Sequence, residues 1–146
     1  MSDNRRYKKF DLKNISTQRF TMTALELKDY IPFEVKRVYF VTSPIGPERI
    51  TGSHCHIKFE DELFVLITGK ATLVVDDGHG LENMPLEGPK QAVYIPHMVW
   101  HQFKDLSDDA VLMAITSTNY NPDRYDYCED YTKFTQLLSE KGLILK

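Results

Sequence analysis

His54 and His56 stand one residue apart in the run S-H-C-H-I-K-F-E-D-E-L-F-V-L-I-T-G, which spans residues 53–69. On an extended strand that spacing points both imidazoles to the same face, because side chains alternate with a period of two. His101, in P-H-M-V-W-H, adds a third imidazole, and Glu62, heading a hydrophobic run, adds a carboxylate. A lone histidine on an apolar strand reads as structural, but burying three without a purpose is costly. Two chemistries suit the set. Three nitrogens and one carboxylate oxygen, from His54, His56, Glu62 and His101, would hold a divalent transition metal. Without metal the same groups form an acid–base cluster, since imidazole titrates near neutrality.

Tyr39 and Arg37 share one face of a further strand. They read either as a solvent-facing pair or as a phenol that donates a proton beside a guanidinium that holds a phosphate. Glu60 and Asp61 read as turn carboxylates, and Trp100, the single tryptophan, as core. Cys55 faces away from both neighbouring histidines, which weakens any thiolate chemistry. His79, in the turn D-D-G-H-G, is expected to be exposed, and the pattern does not place His97.

The elements that must position these residues are mostly strands. The chain alternates from Phe20 through T-M-T-A-L-E-L until Pro32 breaks it, and β-branched and aromatic residues fill Glu34–Thr42. The histidine strand, Glu62–Thr68, Ala71–Val75, Gln91–Ile95, the V-W-H-Q-F-K run and Ala110–Thr116 follow, separated by Gly, Pro and Asp turns. Tyr127, Tyr131, Phe134 and Leu138 then fall on a helical stripe, with Gly142 as its stop, so a helical tail is expected over about 123–142. Many short strands and one helix indicate an all-β barrel or sandwich.

A length of 146 residues suits a single domain, residues 1–146, with 1–14 as a flexible or edge-bound leader. Within that leader Arg5, Arg6, Lys8 and Lys9 are expected to be solvated. A net charge of −3 argues against nucleic acid, and no apolar run reaches the length of a membrane span. Two cysteines make no disulfide framework, so the chain reads as cytoplasmic.

The histidine motifs resemble those of the cupin superfamily. H-x-H, a few residues, E, six residues, G is met by His54, His56, Glu62 and Gly69. P-x-G-x-x-H is met by Pro96 and His101, with Met98 in place of the glycine. That resemblance implies a double-stranded β-helix, a jelly-roll barrel. The stretches I-P-F-E-V-K-R-V-Y-F, V-Y-I-P-H-M-V-W-H and S-T-N-Y…D-Y-C-E-D-Y look more narrowly like the TDP-4-keto-6-deoxyglucose 3,4-ketoisomerases. Three positions depart from that pattern. Thr51-Gly52 stands where arginine-glycine is usual, Glu62 replaces a glutamine at one residue's longer spacing, and Glu129 replaces an arginine.

The resemblance implies that His54 shuttles a proton and that His56 and Tyr39 are its partners. Arg37, Arg49, Glu62, His101 and Trp100 are the substrate-binding candidates. It further implies a TDP-linked keto sugar as substrate, a homodimer, and no cofactor, with one histidine of near-neutral pKa serving both carbons of an enediol.

Overall fold

Strands form where the sequence alternates or is rich in β-branched residues, and they close into the expected jelly-roll barrel. The computed structural model describes residues 4–144. One five-stranded sheet joins, in spatial order, β1 (Lys8–Asp11), β9 (Gln91–Ile95), β6 (Glu62–Thr68), β11 (Val111–Thr116) and β4 (Arg37–Thr42). The other joins β12 (Tyr127–Cys128), β5 (Thr51–His56), β10 (Trp100–Lys104), β7 (Lys70–Asp76) and β8 (Glu82–Glu87). A separate hairpin pairs β2 (Asn14–Ser16) with β3 (Thr21–Thr23), and the helix α1 spans Tyr131–Glu140.

Three apolar layers follow from the strand alternation. Between the sheets, Phe64 and Leu66 of β6 meet Leu73, Val75 and Phe103 of β7 and β10. Outside the first sheet, Leu63, Val65 and Ile115 are covered by Leu12, Leu25, Leu27 and Phe33. Outside the second, Cys55, Met98 and Trp100 are covered by Phe134 and Leu138 of α1. The histidine strand therefore has a packed back, and only its inner face is left for chemistry.

Four local expectations need correction. The early strand is short, because Leu25 and Leu27 leave it to cover the first sheet. Arg5 and Arg6 are not a solvated leader: Arg5 pairs with Glu82, and the Arg6 guanidinium donates to the Met98 carbonyl at 2.7 Å. His79 is half-buried, with Nδ1 2.7 Å from the wholly buried Asp77. Tyr127 lies in β12 rather than on the helix, which begins after Asp130, whose side chain accepts from the Lys133 N–H at 3.1 Å.

The stop at Gly142 is as expected. Its φ of +68° allows the Leu143 N–H to reach the Leu138 carbonyl at 2.8 Å, the bond that closes a helix C-terminus. Gly78 serves packing instead. A Cβ there would come within 2.1 Å of the Leu143 carbonyl oxygen, so only glycine lets the turn after β7 pass under the chain leaving α1.

Candidate active site

β5 carries His54 and His56 into the barrel and turns Cys55 out towards α1. β10 pairs with β5 so that His101 lies opposite His54, and their ring centroids are 4.7 Å apart. Gly52 allows that approach: a Cβ on it would meet the His101 carbonyl oxygen at 3.2 Å. From the first sheet, β4 contributes Arg37 and Tyr39 and β6 contributes Glu62. The Tyr39 hydroxyl donates to Glu62 Oε2 at 2.8 Å. β12 adds Tyr127, whose ring sits 4.8 Å from that of His54 and 4.6 Å from that of His56.

The three imidazoles are in different electrostatic surroundings. His56 Nε2 is 2.9 Å from Glu62 Oε1 and 3.0 Å from Glu60 Oε2, and its Nδ1 is 3.6 Å from Asp126 Oδ2. These are ion-pair contacts, and neither ring nitrogen of His56 makes a hydrogen bond among the described residues. Burial alone would lower the His56 pKa, but the surrounding Asp126, Glu60 and Glu62 carboxylates outweigh it and raise it to about 12. Glu60 and Asp126 are held below their ordinary values despite burial, chiefly by His56, which marks them as the anions of the cage. Burial pushes Glu62 the other way, towards its neutral form, against the pull of His56.

His54 is lowered to about 4 by burial, then by the His56 charge, while its bond to the Gly52 carbonyl pulls weakly upward. This corrects the near-neutral expectation: His54 is held neutral at pH 7. His101 is pushed well below its ordinary value, first by burial and then by His54 and His56. Its Nδ1 faces the Val99 carbonyl at 3.2 Å and its Nε2 faces Glu62 Oε1 at 3.7 Å. Burial and Glu62 push Tyr39 far up, so its phenol stays protonated and keeps its O–H as a donor.

His54, Tyr39 and Gly52 line a cleft of 570 Å³ whose remaining wall is Arg37, Tyr120, Arg124 and Tyr127. His56 opens onto a smaller adjoining cleft of 300 Å³ under the segment from Thr118 to Tyr127. The structure thus gathers Arg37, Tyr39, His54, His56, Glu62 and His101. Two expected binding residues stay outside. Trp100 precedes His101 on β10 and so points outward, where its ring packs 5.4 Å from that of Tyr131. Arg49 turns to the far side, donating from Nε to the Leu106 carbonyl at 3.0 Å and pairing with Asp108.

The sequence reading missed Glu60 and Asp126. Glu60, read as a turn carboxylate, is 6% exposed and also bonds Thr118 and Arg37, the latter at 3.1 Å. Asp126 accepts from the backbone N–H groups of Lys58, Phe59 and Glu60 and so fixes the turn that aims Glu60 inward. Only tertiary folding brings Asp126 to His56, and local pattern carries no trace of it.

The donors of His54, His56, Glu62 and His101 lie within 4.8 Å of one another. Three nitrogens and a carboxylate oxygen fit a divalent transition metal, with His101 and Glu62 oriented by the Val99 carbonyl and Tyr39.

Comparison with known proteins gives the family and the fold. Residues 5–139 match the family FdtA, described as WxcM-like, C-terminal. The chain is 32% identical over 136 residues to the TDP-4-oxo-6-deoxy-alpha-D-glucose-3,4-oxoisomerase of Aneurinibacillus thermoaerophilus, covering 93% of this chain and 95% of that protein. It superposes on a 3,4-ketoisomerase from Helicobacter canadensis with a TM-score of 0.80 at 28% identity, covering 93% and 99% of the two chains. On a variant of the 3,4-ketoisomerase QdtA from Thermoanaerobacterium thermosaccharolyticum, in complex with TDP, the TM-score is 0.79 at 26% identity, with 94% and 96% covered. A family match over residues 5–139 and a relative of similar length settle the family: the chain belongs to the FdtA family of sugar 3,4-ketoisomerases.

Proposed function

We propose that the chain interconverts a 4-keto and a 3-keto form of a TDP-linked 6-deoxyhexose through an enediol. The observation that carries this reading is a neutral imidazole, His54, facing a cleft next to an imidazolium, His56, that is held charged. His54 takes the proton from C3, and the electron pair moves into a C3–C4 double bond while charge passes to the C4 oxygen. Tyr39 and the His56 charge stabilise that oxygen. The proton of the C3 hydroxyl passes to the C4 oxygen, and the proton held by His54 returns to C4, leaving a ketone at C3 and a hydroxyl at C4. The substrate assignment is supported by the Aneurinibacillus relative and by the TDP complex of the Thermoanaerobacterium enzyme.

Proton NMR of TDP-4-keto-6-deoxyglucose in deuterated water tests it. Deuterium should enter at C4 of the 3-keto product, and His54→Asn should slow this by ~10²–10⁴-fold, the usual worth of a general base. Wild-type protein that binds the sugar nucleotide but neither isomerises it nor exchanges its C3 proton would sink the enzyme reading.

A second reading, a metal-dependent enzyme, is favoured by the buried carboxylate of Glu62 among the three imidazoles. A divalent ion held by His54, His56, Glu62 and His101 would supply a Lewis acid for a carbonyl oxygen. Near-stoichiometric metal in purified protein, with activity lost to a chelator and restored by the ion, would establish it. We infer also that the protein is a homodimer, and that it works in the cytoplasm, where its two buried free thiols remain reduced.

A further inference from the structure

Arg124 takes no part in the proton-moving cluster, yet it lines the same cleft as His54. It closes the turn that starts at Asn121, its N–H donating to the Asn121 carbonyl at 3.2 Å, with a left-handed φ of +54°. Its guanidinium carbon lies 3.9 Å from the centre of the Tyr127 ring, and that ring packs in turn on His54. Nη2 donates to Glu129 at 2.6 Å.

Among the described residues the cleft has one other cation, Arg37, whose Nη2 is already bound 3.1 Å from the buried Glu60. Arg49, which the sequence suggested for a phosphate, is turned away to Leu106 and Asp108. The chain as a whole is acidic, so an anionic ligand must find its charge locally. Arg124 can supply it. Its bond to Glu129 is between half-exposed and exposed side chains, a kind of pair that contributes little and is easily exchanged for another anion. The Tyr127 ring meanwhile holds the guanidinium in place over the cleft.

We propose that Arg124 is the diphosphate-binding residue of this site. Its planar fork engages phosphate oxygens of the nucleotide, with Tyr127 as its platform and Glu129 as its resting partner when the cleft is empty. This rests on the reading of the cleft as a nucleotide-sugar site.

Calorimetric titration of TDP into wild type, Arg124→Asn and Arg124→Lys tests the proposal. Asparagine tolerates the left-handed turn, so the loop is kept while the charge is lost. The expected result is a TDP affinity weakened roughly 10–100-fold in Arg124→Asn, the range of a charge-assisted hydrogen bond, and partly recovered in Arg124→Lys. The dependence of TDP affinity on salt should flatten in Arg124→Asn, and KM for the keto sugar should rise more than kcat falls. A TDP affinity within about threefold of wild type, or a loss that keeps the wild-type salt dependence, would overturn the assignment to Arg124. Wild type that binds no TDP would instead overturn the nucleotide-sugar reading and this proposal with it, and the wild-type titration alone decides that.

Discussion

His54 and His56 share a strand face, yet their neighbours drive them to opposite protonation states. His56 has three carboxylates around its ring, whereas His54 has burial and a neighbouring cation. Nitrogen-15 spectra of the imidazoles should show His56 doubly protonated at pH 8 and His54 neutral until the pH approaches about 4. A His54 that titrates near 6.5 would refute burial beside a charged His56 as the source of its shift. The signs carry into stability. The raised pKa of His56 gives a contribution complete below about 6.5 and lost as pH climbs from there towards 12. The depressed pKa of His54 gives one that is present above about 6.5 and lost as pH falls through 4. Urea midpoints should therefore fall on the acid side between these limits, and less steeply in His54→Asn. Tyr39→Phe removes the donor to Glu62 but leaves the base, so its loss of kcat should be about tenfold, smaller than that of His54→Asn. Equal losses from the two variants would mean that Tyr39 moves the proton.

At the scale of elements, α1 holds the back of the histidine strand. Phe134 is fully buried against Cys55, Trp100 and Leu138, so Phe134→Ala removes a large side chain where the rigid sheet cannot collapse. The expected cost is ~3–5 kcal/mol in urea unfolding, with weakened TDP binding because the short strand β12, which holds Tyr127, leads into the helix. A loss below about 1 kcal/mol would show that the helix is not needed to hold the sheet. This layering was largely legible in the sequence. Period-two alternation puts His54 and His56 on one face and the helical stripe names Phe134 and Leu138, while the pattern alone left the face of Tyr39 and Arg37 open. Trp100 is a case where the pattern of its own strand decided correctly for core, against its inclusion among the binding residues. What could not be read was set by loops. Glu60 points inward because Asp126, distant in sequence, binds the backbone of its turn, and Arg124 reaches the cleft by a left-handed turn. The shift of His54 to about 4 comes first from its burial and then from the charge that those carboxylates maintain on His56.

Across the whole molecule, apolar surface is unevenly covered. No helix among the described residues is long and apolar enough to cross a membrane, so a lipid core does not account for the exposed groups through a helix. The inner face of β4 supplies Arg37 and Tyr39 to the site, while its outer face leaves Val38 at 48% and Phe40 at 60% exposure. β4 is also the last strand of its sheet, paired with β11 on one side only, so its other edge presents free backbone donors and acceptors. An open edge with an apolar face invites pairing with another chain. The β2–β3 hairpin adds exposed Ile15, Phe20 and Met22 and is hydrogen-bonded to neither large sheet. A second copy would satisfy both features, because a two-fold axis presents the same apolar patch to itself. Sedimentation equilibrium at micromolar concentration should give twice the 17.0 kDa chain mass. Phe40→Glu should shift it to a single chain, since a charge buried at the centre of such an interface lacks a partner. If the wild type sediments as a single chain, the dimer is wrong. If Phe40→Glu stays dimeric, the interface lies elsewhere and the β4 face needs another explanation.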